Sequence, residues 1–172
     1  QPAGDAHTVI YPVAACYTES GLAEIRANGY EVPLVVGPGV YDYCHFSFDG
    51  TVTIEVQVSE PIERFSISPL AKEISGKADG NRLTFSLDES VYVIVKINDL
   101  REIIIAADAP EADRPAFRGD GIYNVLDYGA DPTGKTITSA EINQAIRDAN
   151  AAGGGTVYVP AGVYTVTNVS LM

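Results

Sequence analysis

Hydrophobic and polar positions alternate along most of the first hundred residues. Thr51-Val52-Thr53-Ile54-Glu55-Val56-Gln57-Val58 is the clearest case, and it predicts a strand with one buried and one wet face. Arg82–Leu87, Val91–Ile97 and 102–106 continue the pattern, with a turn predicted at Asp99 and its neighbours. In Tyr41–Phe48 the same alternation sends Cys44, Phe46 and Phe48 to the core side and Tyr41, Tyr43 and His45 to the other. A helix is expected in this part only at 22–27. Short strands separated by Gly, Pro, Asn and Asp predict a β-sandwich over residues 1–109. Residues 110–121 read as a linker. They contain Pro110, Pro115, Gly119 and Gly121, five charged residues (Glu111, Asp113, Arg114, Arg118, Asp120) and few apolar ones.

The period changes after Gly121. Ile142, Ala145, Ile146 and Ala149 recur at helical spacing and form one apolar stripe. Thr138 and Glu141 stand at the positions of a capping box, and Gly153 stands where a left-handed C-cap is wanted. Thr156 to Val159 alternates again, Pro160-Ala161-Gly162 interrupts, and 163–166 resumes the strand. The order is therefore strand, polar loop, helix, triple glycine and two short strands. An amphipathic helix ahead of such strands suits the first coil of a solenoid, whose open end needs a cover. In an ordinary βαβ unit, Gly153-Gly154-Gly155 would suggest a phosphate loop. These glycines follow the helix, however, and anions bind where a helix begins.

The segment resembles the opening of the right-handed parallel β-helix of glycoside hydrolase family 28, the polygalacturonase family. Asp127-Tyr128-Gly129-Ala130 is similar to that family's Asp-Phe-Gly-Ala. Gly153-Gly154-Gly155 followed by Val157-Tyr158-Val159-Pro160-Ala161-Gly162-Val163-Tyr164 is similar to its glycine-rich turn and first strands. Asp131-Pro132-Thr133-Gly134 departs from the usual Gly-Asp-Gly, and Thr136-Ile137-Thr138 from Thr-Asp-Asp-Thr. The resemblance covers about the last third of the chain. It implies an all-β protein: a sandwich over 1–109, the linker 110–121, and the cap and first coil of a parallel β-helix over 122–172. It implies a secreted polysaccharide-degrading enzyme that inverts at the glycosidic bond using carboxylates. Those acids belong to central coils, so no catalytic residue is assigned to this chain. The rest of the β-helix is expected as a partner, on a second polypeptide, because a single coil cannot bury its own faces. The same opening also occurs in β-helix lyases, epimerases and glucanases, and fold alone does not choose among them.

Charge and candidate chemistry refine the picture. Lys plus Arg is 11 and Asp plus Glu is 23, a net charge of −12 across 172 residues. Such acidity argues against nucleic acid and against an anionic membrane, and no apolar run has the roughly 20 residues of a membrane-spanning helix. No cofactor is expected. A Cys16–Cys44 disulfide is expected in a secreted sandwich; it would close a loop of about 29 residues and contribute roughly 3–4 kcal/mol. The alternative is two buried free thiols. A metal site built on Cys16, Cys44 and His45 is set aside, since neighbours in a strand point to opposite faces. Asn168-Val169-Ser170 is a glycosylation sequon. Tyr41 and Tyr43 are candidates for stacking on sugar rings, and the alternative role is packing. Asp127 and Asp131 read as turn and capping residues. A non-catalytic carbohydrate-binding or spacer module is the alternative to an enzyme.

Overall fold

The computed structural model describes residues 3–4, 7–14, 16–112 and 116–171. The chain forms two compact units. One is built from residues up to Val13 and from Tyr17–Pro110, the other from Ala14, Cys16 and the residues from Glu111 onward. No helix among the described residues is long and apolar enough to cross a membrane.

The first unit holds β1 (Ala3–Gly4), β2 (Thr8–Ile10), β3 (Glu24–Ala27), β4 (Tyr30–Val32), β5 (Val35–Val36) and β6 (Tyr41–Phe48). It continues with β7 (Val52–Gln57), β8 (Phe65–Ser68), β9 (Gly76–Asp79), β10 (Arg82–Leu87), β11 (Val91–Ile97) and β12 (Glu102–Asp108). A seven-stranded sheet runs β1-β2-β6-β12-β11-β8, with β5 also on β6, and a five-stranded sheet runs β4-β3-β7-β10-β9. Burial alternates as the sequence pattern requires. Val52, Ile54 and Val56 on β7 are fully buried, as are Val93 and Val95 on β11 and Ile105 on β12. The inward faces of both sheets meet in one hydrophobic core that includes Phe46, Ile54, Leu83 and Ile103, which makes the unit a sandwich.

The neighbours in both sheets are antiparallel with one exception. β6 and β12 are parallel, in register from Tyr41 opposite Glu102 to Ser47 opposite Asp108. Asn98, with φ 50°, turns the chain between β11 and β12 where Asp99 marks the expected turn. Its carboxamide oxygen accepts from the Glu63 and Arg64 amides at 3.0 and 3.2 Å, and its nitrogen donates to the Pro61 carbonyl at 2.9 Å. The helix expected at 22–27 is a correction. Glu24–Ala27 is the strand β3, paired to both β4 and β7, because burying Ile25 and Ala27 at period two outweighs local helix preference.

The second unit holds β13 (Ile122–Asn124), β14 (Thr133–Ile137), the helix α1 (Ser139–Ala151), β15 (Thr156–Tyr158) and β16 (Val163–Thr165). β13 pairs with β15 and β14 with β16, both parallel. The helix buries Ile142, Ala145, Ile146 and Ala149, the expected stripe. Ile142, Ala145 and Ile146 pack with Val125 and Ala130 in a second, smaller core. The helix ends as the glycines require. Gly153, at φ 86°, donates to Asn150 O at 3.0 Å, and Gly154 donates to Ala149 O at 2.9 Å, a Schellman cap. Gly155 has no room for a side chain: a Cβ would lie 2.7 Å from the Gly121 carbonyl oxygen, and that carbonyl accepts the Thr156 amide that starts β15. The expected polar loop before the helix contains β14, whose mostly exposed residues carry no apolar alternation to announce it. An all-β sandwich is thus followed in sequence by a unit of one helix and two parallel strand pairs.

Candidate functional site

The opening of the coil is organised by Asp131, which holds a turn, and by Asp127, which pairs with Arg118. Asp131 accepts four hydrogen bonds, from the amide and hydroxyl of Thr133 at 2.8 and 2.6 Å and from the amide and hydroxyl of Thr136 at 2.9 Å each. The Thr133 hydroxyl and amide, then the Thr136 hydroxyl, hold its carboxyl far below the usual carboxylate range. Asp127 receives Arg118 through Nε at 3.1 and 3.2 Å and through Nη2 at 2.5 Å. This pairing lowers the aspartate and raises the guanidinium. Arg118 also lies 5.0 Å from the centroid of the Phe117 ring, which meets Tyr158 edge-on at 5.6 Å. Tyr128 donates to Asp148 at 3.1 Å; burial and then this bond push its phenol up.

The expected capping box is corrected. Thr138 makes no side-chain bond to the helix; its hydroxyl accepts from the Asp131 amide at 3.3 Å. Glu141 Oε2 is buried with no hydrogen-bond partner among the described residues. The Asp131 turn draws the threonine hydroxyl away from the helix, so the reciprocal pair cannot form.

The candidate residues of the sandwich fall as follows. Tyr41 and Tyr43 share the outward face of β6, both half-buried. The Tyr41 ring lies against the backbone of Gly37, and Tyr43 meets Tyr17 edge-on at 6.2 Å. The Cys16–Cys44 disulfide is not formed: both thiols are free, Cys16 exposed and Cys44 within the core. Strand alternation turns Cys44 inward among apolar side chains, and burial pushes its thiol up to about 12. Asn168 lies beyond β16 and is exposed. Its carbonyl accepts from Asn143 Nδ2 at 2.9 Å, and Ser170 N donates to Asn143 Oδ1 at 2.9 Å.

Sequence reasoning missed two constellations that depend on the parallel pairing of β6 and β12. Asp42, 2% exposed, is held by Ser20 Oγ at 2.5 Å and by Arg101 Nε at 3.0 Å. Arg101 also donates to the carbonyls of Gly37, Gly39 and Tyr41. On the outward face His45 Nε2 lies 3.0 Å from Asp108 Oδ2, and the Tyr92 hydroxyl donates to the same oxygen at 3.3 Å. Tyr11 stacks on His45 with centroids 4.9 Å apart and planes 7° from parallel. Separately, a cleft of about 380 Å³ is lined by residues including Lys72, Glu73, Asp88 and Glu89, with Lys72 and Glu89 paired at 2.5 Å.

Residues 122–170 match the family described as rhamnogalacturonase A/epimerase, pectate lyase-like. The chain is 31% identical over 120 residues to mannuronan C5-epimerase AlgE3 of Azotobacter vinelandii, a match covering 70% of this chain and 5% of that protein. It is 53% identical over 45 residues to alginate lyase 7 of the same organism, covering 26% of this chain and 5% of the relative. The chain thus spans about 5% of the length of these relatives. Among solved structures, Dex49A from Penicillium minioluteum matches with a TM-score of 0.51 at 8% identity, over 72% of this chain and 37% of that one. At that identity the likeness concerns fold alone. The matches are broader than the polygalacturonase family. They place the segment from Ile122 in the pectate-lyase-like β-helix fold.

Proposed function

We propose that this chain is the N-terminal portion of a polysaccharide-acting parallel β-helix enzyme whose substrate is a uronic-acid polymer. The observation that carries the reading is the coil over 122–170. It combines the parallel pairs β13–β15 and β14–β16 with 53% identity over 45 residues to an alginate lyase and 56% to mannuronan C5-epimerases. Epimerisation at C5 and β-elimination both begin by removing the proton beside a carboxylate, which only a uronate supplies. Inverting hydrolysis of the polygalacturonase kind is the second reading, supported by the rhamnogalacturonase part of the family description. In either case the reacting groups belong to further coils, on the same or a second polypeptide, and export accompanies a substrate that lies outside cells.

In the first unit, this reading gives the sandwich a binding or spacing role. In the second, α1 covers one end of the solenoid while the Asp131 turn and the Arg118–Asp127 pair fix its opening loop. The test compares the 172-residue chain with a longer one carrying the coils that follow. Each is given alginate, mannuronan and polygalacturonate. Unsaturated ends at 235 nm report elimination, new reducing ends report hydrolysis, and proton NMR reports C5 inversion. The expected result is inactivity of the short chain and one of the first or third signals from the long one. Turnover by the short chain alone, or an inert long chain on all three polymers, would overturn the proposal.

A further inference from the structure

Along the pair β14–β16, backbone pairing ends where the helix begins. Thr138 N donates to the Thr165 carbonyl at 2.9 Å. The Thr138 carbonyl is claimed by the Ile142 amide at 3.3 Å as α1 starts. Side chains of α1 then continue the ladder. The buried Ser139 hydroxyl accepts the Thr167 amide at 2.8 Å. One turn later, Asn143 Nδ2 donates to the Asn168 carbonyl at 2.9 Å, and Asn143 Oδ1 accepts the Ser170 amide at 2.9 Å. Ser139 and Asn143 are four residues apart in the sequence, so both lie on one face of the helix.

The two Asn143 bonds have the pattern of a parallel rung. In a parallel ladder, the N–H and C=O of one residue bond the C=O and N–H that flank the residue opposite. Here a single carboxamide supplies both groups, and the residue opposite is Val169. Successive residues of a strand turn their bonding groups to opposite edges, so the N–H and C=O of Val169 face away from α1. Among the described residues neither group has a partner. The side chains beside this edge are open too: Val169 is 39% and Leu171 88% exposed.

We propose that Asn143 stands in for a strand on the third side of the coil, after β15 and β16, and that residues 168–171 are the docking edge for one parallel strand of the coil that follows. This rests on the solenoid reading given above. The character of the occupant comes from the edge itself. β13–β15 and β14–β16 are both parallel, and the Asn143 rung imposes the same direction on 168–170. A parallel strand bonds Val169 and covers the side chains of Val169 and Leu171. This chain spans about 5% of AlgE3 and of alginate lyase 7, which leaves ample polypeptide in such enzymes to supply that strand. Asn143 is then a positioning residue, setting the height and direction at which the third side of the solenoid starts.

The test is residue-resolved hydrogen exchange by NMR on the 172-residue chain and on a longer one carrying the coils that follow. In the 172-residue chain the Ser170 amide should exchange more slowly than that of Val169. Asn143→Leu should speed Ser170 about tenfold, for the loss of one hydrogen bond. It should leave α1 protected, since leucine is the better helix former. Asn143→Asp keeps the acceptor oxygen and should restore most of the slow exchange at Ser170. In the longer chain the Val169 amide should become slow together with β15 and β16, and Asn143→Leu should speed Val169 more than β15. Unchanged exchange at Ser170 in Asn143→Leu overturns the rung. A Val169 amide that stays fast in the longer chain while β15 and β16 become slow overturns the docking edge and leaves the solenoid reading intact. If β15 and β16 stay fast as well, the solenoid reading fails and this proposal with it.

Discussion

Asp42 shows how a residue can obey the strand pattern and break the hydrophobic rule together. Alternation along β6 turns it to the same side as Cys44 and Phe46, and it is as buried as they are. A carboxylate there is tolerable only with partners, and Arg101 supplies the charge from 59 positions away. The sequence announces the inward direction of Asp42 but not its partner, because nothing local links the two residues. Arg101→Ala should cost roughly 3 kcal/mol, at the low end for breaking a buried pair because Arg101 is itself half open. Arg101→Lys should recover only part, since an ammonium cannot span the carboxylate and three carbonyls as a guanidinium does. Urea unfolding of the three proteins checks both statements. The cysteines permit a simpler measurement. Cys16 is exposed, while Cys44 is buried with its thiol pushed up to about 12. One alkylation in the folded state and two after unfolding without reductant are expected by mass spectrometry. No alkylation in either state would restore the disulfide that the sequence suggested.

Elements with strong periodicity were legible, and elements held by backbone alone were not. β10 and β11 begin and end at the residues where alternation does, and α1 buries the stripe its spacing marks. β14 is different: its residues are mostly exposed, and its pairing to β16 shifts register between Thr133 and Ile137. Such a strand is specified by its neighbours and by the turn before it. That turn depends on Asp131, whose four accepted hydrogen bonds favour the ionised form. The sign of the pH dependence follows. The folded-state value lies below the ordinary 3.8, so ionised Asp131 contributes stability above that value. The contribution is lost as pH falls from about 4 through the depressed value. Asp131→Asn should therefore be less stable than the parent at neutral pH, with the gap narrowing below about pH 4. Chemical denaturation from pH 2 to 7 measures that gap. A gap that stays constant, or widens in acid, would contradict the assigned role.

At the scale of the molecule, the two units differ in how they bury apolar surface. The sandwich core draws on both sheets and includes fully buried side chains such as Phe46, Ile54, Val93 and Ile105. The coil's core consists of Val125, Ala130, Ile142, Ala145 and Ile146, with Ile142 and Ile146 still 7% and 9% exposed. Ile137, Val159, Val166 and Leu171 are exposed outright in the same unit. This contrast was visible in outline from sequence, since many short strands over 8–107 give way to one short amphipathic helix and brief strands. The parallel β6–β12 pair was not visible, because no local pattern tells a strand which distant neighbour it will take. Local opening free energy follows buried apolar contact and hydrogen-bond protection. Amides of β6, β7, β11 and β12 should therefore exchange with solvent deuterium only through global unfolding of the sandwich. Those of β13 to β16 should exchange sooner, at free energies well below it, even though most are bonded in parallel pairs. Hydrogen exchange read by mass spectrometry at several denaturant concentrations separates the two classes. The first should show strong denaturant dependence and the second little. A longer chain carrying further coils should raise protection at β15 and β16 and leave β7 unchanged. If β13 to β16 were already as protected as β7 in the 172-residue chain, the coil would be stable without stacking. The proposal that it belongs to a longer solenoid would then lose its physical basis.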